Sequence, residues 1–225
     1  MKRPLKAAAV FVLALIAACA PLREIGGGTF HFTAPGSLAP DSPLARAARD
    51  PAQCQAILRE EGVAFTPVRD QSDGQFCDVR NAILLGAKPV TMSPTRPMMA
   101  CPLAAAFLLW TRYSVEPAAR EMLHTELKQV DHFGVYACRR VNGAAVGNPS
   151  AHARAEAIDV SGFRFANGRQ VHVLADWTKA SLDSQFLHRV RGDACRAFAT
   201  VLSPDYNALH ANHLHLEVGG SGPCS

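Results

Sequence analysis

The sequence predicts an α+β fold: a small mixed or antiparallel sheet flanked by helices. Three observations lead there. Helix-like and strand-like segments come in segregated runs instead of alternating, as they would in a parallel α/β chain. The pair Asn167-Gly168 joins two strand-like segments, a strong hairpin signal. Hydrophobic residues make up 48% of the 225 residues and charged residues 19%, enough apolar material for a core and too much for wholesale disorder.

The elements follow in order. "DPAQCQAILREEG" has Asp50 as an N-cap, Pro51 at the first helical position and Gly62 just beyond, so a short helix is expected. "VAFTPV" and "CDVRNAILL" are strand-like. "CPLAAAFLLWTRY" reads as an apolar helix with Pro102 near its start. "EPAAREMLHTELKQ" reads as an amphipathic helix through Ala118, Met122, Leu123 and Leu127, with His124 solvated or capping. "HFGVYACRRV" is strand-like, and "EAIDVSGFRFANGRQVHVLADW" is the hairpin. "SLDSQFLHRVRGDACRAFATVL" is helical, with Gly192 as a point of interruption. "HLHLEV" closes the chain as a strand.

The N-terminus, "MKRPLKAAAVFVLALIAACAPL", has a basic start and an apolar run from Ala7 to Ala18. That run is too short to span a bilayer comfortably and suits a secretory signal over residues 1–18. Its end, "LIAAC", resembles a bacterial lipobox, which implies lipidation of Cys19; the alternative is an ordinary signal cut nearby, with Cys19 incidental. Ala20 follows. By resemblance to Gram-negative lipoproteins, this implies a periplasmic, lipid-anchored protein of the outer membrane. Residues 19–50 contain "GGG", "APGS" and "PDSP" and read as a tether, which leaves 51–225 as the folded domain. The formal charge is +4, and Lys2, Arg3 and Lys6 supply three of those charges; without them +1 remains, and no nucleic-acid partner is expected.

Six cysteines remain after Cys19: Cys54, Cys77, Cys101, Cys138, Cys195 and Cys224. An even number in an oxidising compartment predicts three disulfides. The absence of any CxxC pair argues against a structural zinc site. The spacing leaves the connectivity open, since six cysteines allow 15 pairings; pairing neighbours in sequence would give Cys54–Cys77, Cys101–Cys138 and Cys195–Cys224.

The chemistry lies in two stretches, "SAHARAEAID" and "HANHLHLEV". On the final strand His213, His215 and Glu217 share one face, and Leu214, Leu216 and Val218 share the other, which must meet the core. On the earlier strand Asp159 shares a face with Ala155 and Ala157, whose small side chains leave room above the sheet, and His152 enters just before. If the strands are neighbours, their side chains converge. Two histidines and a carboxylate suit Zn2+ and leave a position open for water. An isolated HxH on a strand is often only a half-exposed polar pair; the second histidine-bearing strand strengthens the reading.

Ser150, His152, Ala155, Ala157 and Asp159 resemble the S-x-H-x-x-G-x-A-x-D signature of the D-alanyl-D-alanine metallopeptidase superfamily, with Ala155 in place of the usual glycine. His210, His213 and His215 resemble the H-x-x-H-x-H end of the penicillin-insensitive murein endopeptidases. The stretch from "YACRRVNG" to "PDYNALHANHLHLEV" is similar to the bacterial extensin-like C-terminal domain family, over roughly residues 50 to 220. The resemblance implies zinc on His152, Asp159 and His215, with His213 and His210 as catalytic or substrate-flanking histidines and Ser150 at the substrate. Arg139, in preference to the adjacent Arg140, resembles the arginine that binds a substrate carbonyl or carboxylate. Where carboxypeptidase relatives carry a general-base glutamate, this chain has Asn212; Glu217 is held in reserve.

Together these readings give a lipid-anchored zinc peptidase acting on peptidoglycan cross-links or stem peptides. One alternative is a catalytically inactive cell-wall-binding lipoprotein that keeps the metal cleft. Another is a structural lipoprotein without metal.

Overall fold

The computed structural model describes residues 38–225. The expected signal segment 1–18, Cys19 and the tether up to residue 37 lie outside the described residues.

The centre of the fold is a long, fully apolar helix. α3 (Cys101–Trp110) starts with Pro102, whose missing N–H is no loss in a first turn, and buries nearly every side chain. It runs through a wider turn, Thr111–Val115, into α4 (Glu116–Leu123). In that turn the N–H of Glu116 bonds to the carbonyl of Thr111, five residues back. Pro117 explains the widening: it has no N–H, and its ring would press on the carbonyl of residue 113 in a regular helix. The expected extension of α4 to Gln129 does not occur. His124 takes a left-handed conformation, φ 51 and ψ 41, and caps the helix.

Two short helices pack against this rod, α1 (Pro43–Arg49) and α2 (Cys54–Glu60). The sequence reading placed residues 43–49 in the tether, but α1 is part of the core. Ser42 caps it, and Leu44, Ala45 and Ala47 are fully buried. Its Ala-rich face carries too weak a period to stand out beside the surrounding Pro and Gly. Asp50 accepts from the N–H groups of Ala52 and Gln53, so it caps the turn leading into α2, which begins later than expected.

A three-stranded antiparallel sheet, β1 (Phe65–Pro67), β2 (Ala82–Leu85) and β4 (Met98–Ala100), lies beside α3. The main sheet has the order β3-β5-β6-β9-β8, from β3 (Thr91–Ser93), β5 (Leu127–His132), β6 (Ala157–Phe165), β9 (Leu214–Glu217) and β8 (Thr200–Leu202). Only β3–β5 is parallel, so the sheet is mixed and the α+β class holds. β7 (Gln170–His172) completes the expected hairpin and pairs with the second half of β6, while β9 pairs with its first half. The turn between β6 and β7 uses Gly168 at φ 86.

Three expectations shift. The strand expected at "HFGVYACRRV" begins earlier, as β5. Residues 133–140 then run irregularly along the chain that carries the site, held by Phe133 N–H to Asp159 O, Asp159 N–H to Gly134 O and Ala137 N–H to His152 O. The helix expected to reach Leu202 is α6 (Leu182–Ala194), capped by Ser181; it passes through Gly192 unbroken and is followed by β8. β-branched Thr200 and Val201 go to the sheet, where β9 offers them partners. A short helix, α5 (Val173–Asp176), follows β7.

Trp110 joins the layers. Its ring packs at 6.0 to 6.2 Å on Phe107, Phe163 and Phe198, and its Nε1 donates to the carbonyl of Val190 at 2.8 Å. Among the described residues no helix is long and apolar enough to cross a membrane.

All six cysteines of the described residues are paired, as Cys54–Cys101, Cys77–Cys138 and Cys195–Cys224. The third pair agrees with the sequence expectation. The first two overturn it, because α2 packs on the start of α3 and brings Cys54 to Cys101 instead of to its neighbour in sequence. Non-reducing peptide mapping should recover these three linkages and no free thiol among the six. The Cys54–Cys101 bridge closes a separation of 47 residues, which on a chain-entropy basis is worth about 4 kcal/mol. The double variant Cys54→Ala/Cys101→Ala should lose about 2–5 kcal/mol in chemical denaturation. A loss below 1 kcal/mol would count against that bridge.

Candidate metal centre

Three side chains from separate parts of the chain converge in a cleft of about 580 Å³. Asp159 and His215 are direct partners across β6 and β9. The buried faces of these strands, Ile158, Val160, Leu214 and Leu216, are fully enclosed, which forces the polar alternates onto the cleft side. His152 enters from a single tight turn, Ala151–Arg154, just before β6. Ser150 starts that turn, its Oγ accepting from the N–H of His152 at 3.3 Å. Ala155 ends it in a left-handed conformation, φ 55 and ψ 31. So Ala155 belongs to the turn and not to the strand face where the sequence reading put it. A left-handed residue costs alanine roughly 1–2 kcal/mol and glycine almost nothing.

The geometry at the centre is a small triangle. His152 Nε2 lies 3.2 Å from Asp159 Oδ1 and 3.3 Å from His215 Nδ1, and His215 Nδ1 lies 2.9 Å from Asp159 Oδ1. Ligands about 2.0–2.1 Å from a tetrahedral zinc stand roughly 3.3–3.4 Å apart, close to these edges. The back of each ring is also occupied. His152 Nδ1 donates to the Val135 carbonyl at 2.6 Å, and His215 Nε2 faces Glu217 Oε2 at 3.4 Å. Those partners leave Nε2 of His152 and Nδ1 of His215 as the nitrogens aimed inward. This is the arrangement by which outer carbonyls and carboxylates orient metal-binding histidines. The donor set, two imidazoles and a carboxylate, fits zinc.

The electrostatics agree with a site built for a cation. Burial raises the pKa of Asp159, but hydrogen bonds from His152 and His215 outweigh it and hold the carboxyl well below the usual range. Burial opposes charge on His215, yet its hydrogen bonds to Asp159 and Glu217 win and push it up to about 9. In the metal-free protein a proton on His215 neutralises part of the buried acid.

The other expected residues sit around this centre. His213 Nε2 is 3.5 Å from Asp159 Oδ1, and its Nδ1 is 2.8 Å from Asn212 Oδ1. Burial lowers its pKa against the opposing pull of Asp159. His210 lies on the rim, its ring 5.1 Å from that of His213; burial, then the neighbouring His213 and His215, lower its pKa to about 4. Arg139 lines the cleft. Arg140 bonds to the Gly147 carbonyl and lies over Phe76 at 4.6 Å, so of the adjacent pair it is Arg139 that borders the cleft. Ser150 also lines it, although its hydroxyl is engaged with the turn. Cys19 lies outside the described residues. Sequence reasoning missed the Val135 carbonyl, which has no side-chain signal, and the partners of His210, Asn207 and Tyr206. It held Glu217 only in reserve, and the structure sets Glu217 behind His215.

His152→Ala, Asp159→Ala and His215→Ala should each reduce bound zinc to trace levels by elemental analysis of untagged protein. Glu217→Gln should keep a full equivalent but bind it roughly 10–100-fold more weakly. Zinc at this site would compete with the His215 proton for one nitrogen. Apparent affinity should therefore rise with pH up to about 9 and level off above it. The sign for stability is opposite. A raised pKa stabilises the metal-free fold fully below the ordinary histidine value near 6.5, and that contribution fades as pH climbs through about 9.

The family model described as extensin-like protein C-terminus matches residues 52–225. Comparison with curated proteins found no match, and neither did comparison with solved structures. The matched span runs from just before α2 to the last residue and includes every residue of the centre, so this chain belongs to the extensin-like C-terminal family.

Proposed function

We propose that the domain is a zinc-dependent peptidase that hydrolyses peptidoglycan cross-links or stem peptides, held at the membrane by a lipid on Cys19. The observation that carries this reading is the inward convergence of His152 Nε2, Asp159 Oδ1 and His215 Nδ1, with both rings held from behind, in an open cleft. Three protein ligands and an accessible face belong to catalytic zinc sites, whereas structural sites are closed by four. The similarity of "SAHARAEAID" and "HANHLH" to murein endopeptidase motifs supplies the substrate class.

Zinc held there would polarise a peptide carbonyl and acidify water. The remaining work falls to this chain. Arg139 offers a fork of donors on the cleft wall, suited to a carbonyl or terminal carboxylate oxygen. His213 is the proton carrier: Nδ1 is engaged by Asn212, and Nε2 stands at the edge of the triangle. It takes a proton from the attacking water and returns it to the leaving amide nitrogen. The position that bears a glutamate in carboxypeptidase relatives is Asn212, which cannot act as a base. That substitution favours a second reading, a wall-binding module without turnover.

Zinc-loaded protein should release peptide fragments from intact sacculi, identified by mass. His213→Ala should retain most of its zinc and lose roughly 10²-fold or more of muropeptide hydrolysis. His210→Ala should retain zinc and lose less. Zinc-replete wild-type protein that cleaves no peptidoglycan peptide would leave the binding module as the better reading. Separately, Cys19→Ser should yield an unlipidated precursor in membrane fractions; a variant still carrying diacylglycerol would remove the anchor from the proposal.

A further inference from the structure

The segment from Ser203 to His210 forms one wall of the cleft, and its hydrogen bonds decide which nitrogen of His210 carries a proton. Asn207 opens a short turn, Ala208–His210, and its Oδ1 accepts from the backbone N–H of Leu209 at 3.0 Å. A backbone N–H can only donate, so the atom facing it is the amide oxygen and not the amide nitrogen. The same oxygen lies 2.8 Å from His210 Nδ1. An oxygen that already accepts one hydrogen bond can meet Nδ1 only as an acceptor again. Nδ1 therefore holds the proton, and Nε2 of the neutral ring is left with its lone pair.

The wall is pinned independently. Asp205 accepts from Trp177 Nε1 at 2.8 Å and from Arg191 at 3.1 Å, and Tyr206 N–H bonds to Ser203 O. Tyr206 then packs edge-on to the His210 ring with centroids 5.7 Å apart. Tyr206 holds the plane of the ring, and turning the ring over within that plane would lose the bond to Asn207.

We propose that Asn207 is a positioning residue that locks His210 in the Nδ1–H form, so that His210 presents a hydrogen-bond acceptor to the cleft and meets a ligand through an N–H or O–H group. Arg139 presents only donors. The cleft is then polarised between these two residues: a ligand puts oxygen towards Arg139 and an amide N–H, amine or hydroxyl towards His210. The catalytic consequence rests on the peptidase reading, whereas the protonation pattern does not.

Three proteins test this: wild type, Asn207→Asp and Asn207→Ser, all full-length and zinc-loaded. Aspartate keeps an acceptor for both Leu209 and His210. Serine keeps the cap on Leu209 but is too short to reach the ring. Long-range proton–nitrogen NMR correlations of the His210 imidazole report the tautomer directly. Wild type and Asn207→Asp should show mainly the Nδ1–H form, and Asn207→Ser a clearly smaller share of it, with the helical turn retained in amide shifts. A hydrogen bond of about 1 kcal/mol corresponds to roughly fivefold in the tautomer ratio. If muropeptides are hydrolysed, kcat of Asn207→Ser should fall by a similar factor at nearly constant KM, and Asn207→Asp should restore it. A wild-type His210 protonated on Nε2, or an Asn207→Ser ring still wholly Nδ1–H, overturns the proposal. If wild type hydrolyses nothing, the peptidase reading falls alone, and the NMR result still decides the role of Asn207.

Discussion

Asp159 faces His215 across two hydrogen-bonded antiparallel strands, and the rest of the centre depends on that register. Side chains alternate on a strand, so a slip of either strand by one residue would turn its polar residue, Asp159 or His215, into the core and bring Ile158 or Leu216 out. The slip is blocked from the other side. Ile158, Val160, Leu214 and Leu216 are fully buried against the helical layer, and four such side chains represent several kcal/mol of apolar burial. The hydrophobic pattern that drives folding thus also sets the separation of the ligand atoms. No loop has to hold either residue in place.

A carboxylate this enclosed is costly to desolvate, and the fold shows how the cost is offset. Asp159 Oδ1 receives contacts from His152, His213 and His215, so three ring nitrogens gather around one oxygen. In the metal-free protein a proton on His215 supplies part of that balance. A divalent cation would supply more of it at the same point. The carbonyl of Val135 and the carboxylate of Glu217 make either state specific, because each consumes the nitrogen that does not face the centre. The Val135 carbonyl is available because the chain after β5 leaves regular strand geometry and runs past His152 and Asp159, bonded to both. An ordinary strand there would have spent the same carbonyl on a neighbour.

The legible parts of the sequence were those whose signal is local and periodic. "HLHLEV" and the "ANGR" turn announce themselves by alternation and by Asn-Gly, and both are strands and turn as read. Alternation on two strand-like segments gathered His152, Asp159, His213 and His215 as candidates, and the choice of His152, Asp159 and His215 among them came from the resemblance to the metallopeptidase signature; these three are the side chains that converge. The misreadings share one cause, tertiary packing overriding a local cue. α1 looked like tether because Pro and Gly surround it, yet its alanines fit tightly against α3. "ATVL" continued a helical pattern until β9 offered it a ladder. Cysteine pairing depends on which helices touch, and no spacing rule reports that.

The cleft therefore has a rigid floor and walls of a different character. Its ligands are fixed by strand register and a capped turn, whereas Arg139 and His210 stand on irregular segments. Such segments carry function where a scaffold steadies them, and here the steadying is covalent or charged. Cys77–Cys138 ties the residue just before Arg139 to the 77–79 region, and Arg140 adds a cation–ring contact with Phe76. On the opposite wall Asp205 is held by Trp177 and Arg191, two residues ahead of the asparagine that orients His210. A disulfide next to a cleft-lining arginine does more than lower the entropy of the unfolded chain. It limits how far the backbone that bears that guanidinium can move from the candidate metal centre and, on the proposed peptidase reading, how much orienting freedom would remain for a bound peptide. On this view reduction of the Cys77–Cys138 bridge acts first on the cleft wall and on the 133–140 segment behind His152, and leaves Asp159 and His215, which rest on β6 and β9, in place.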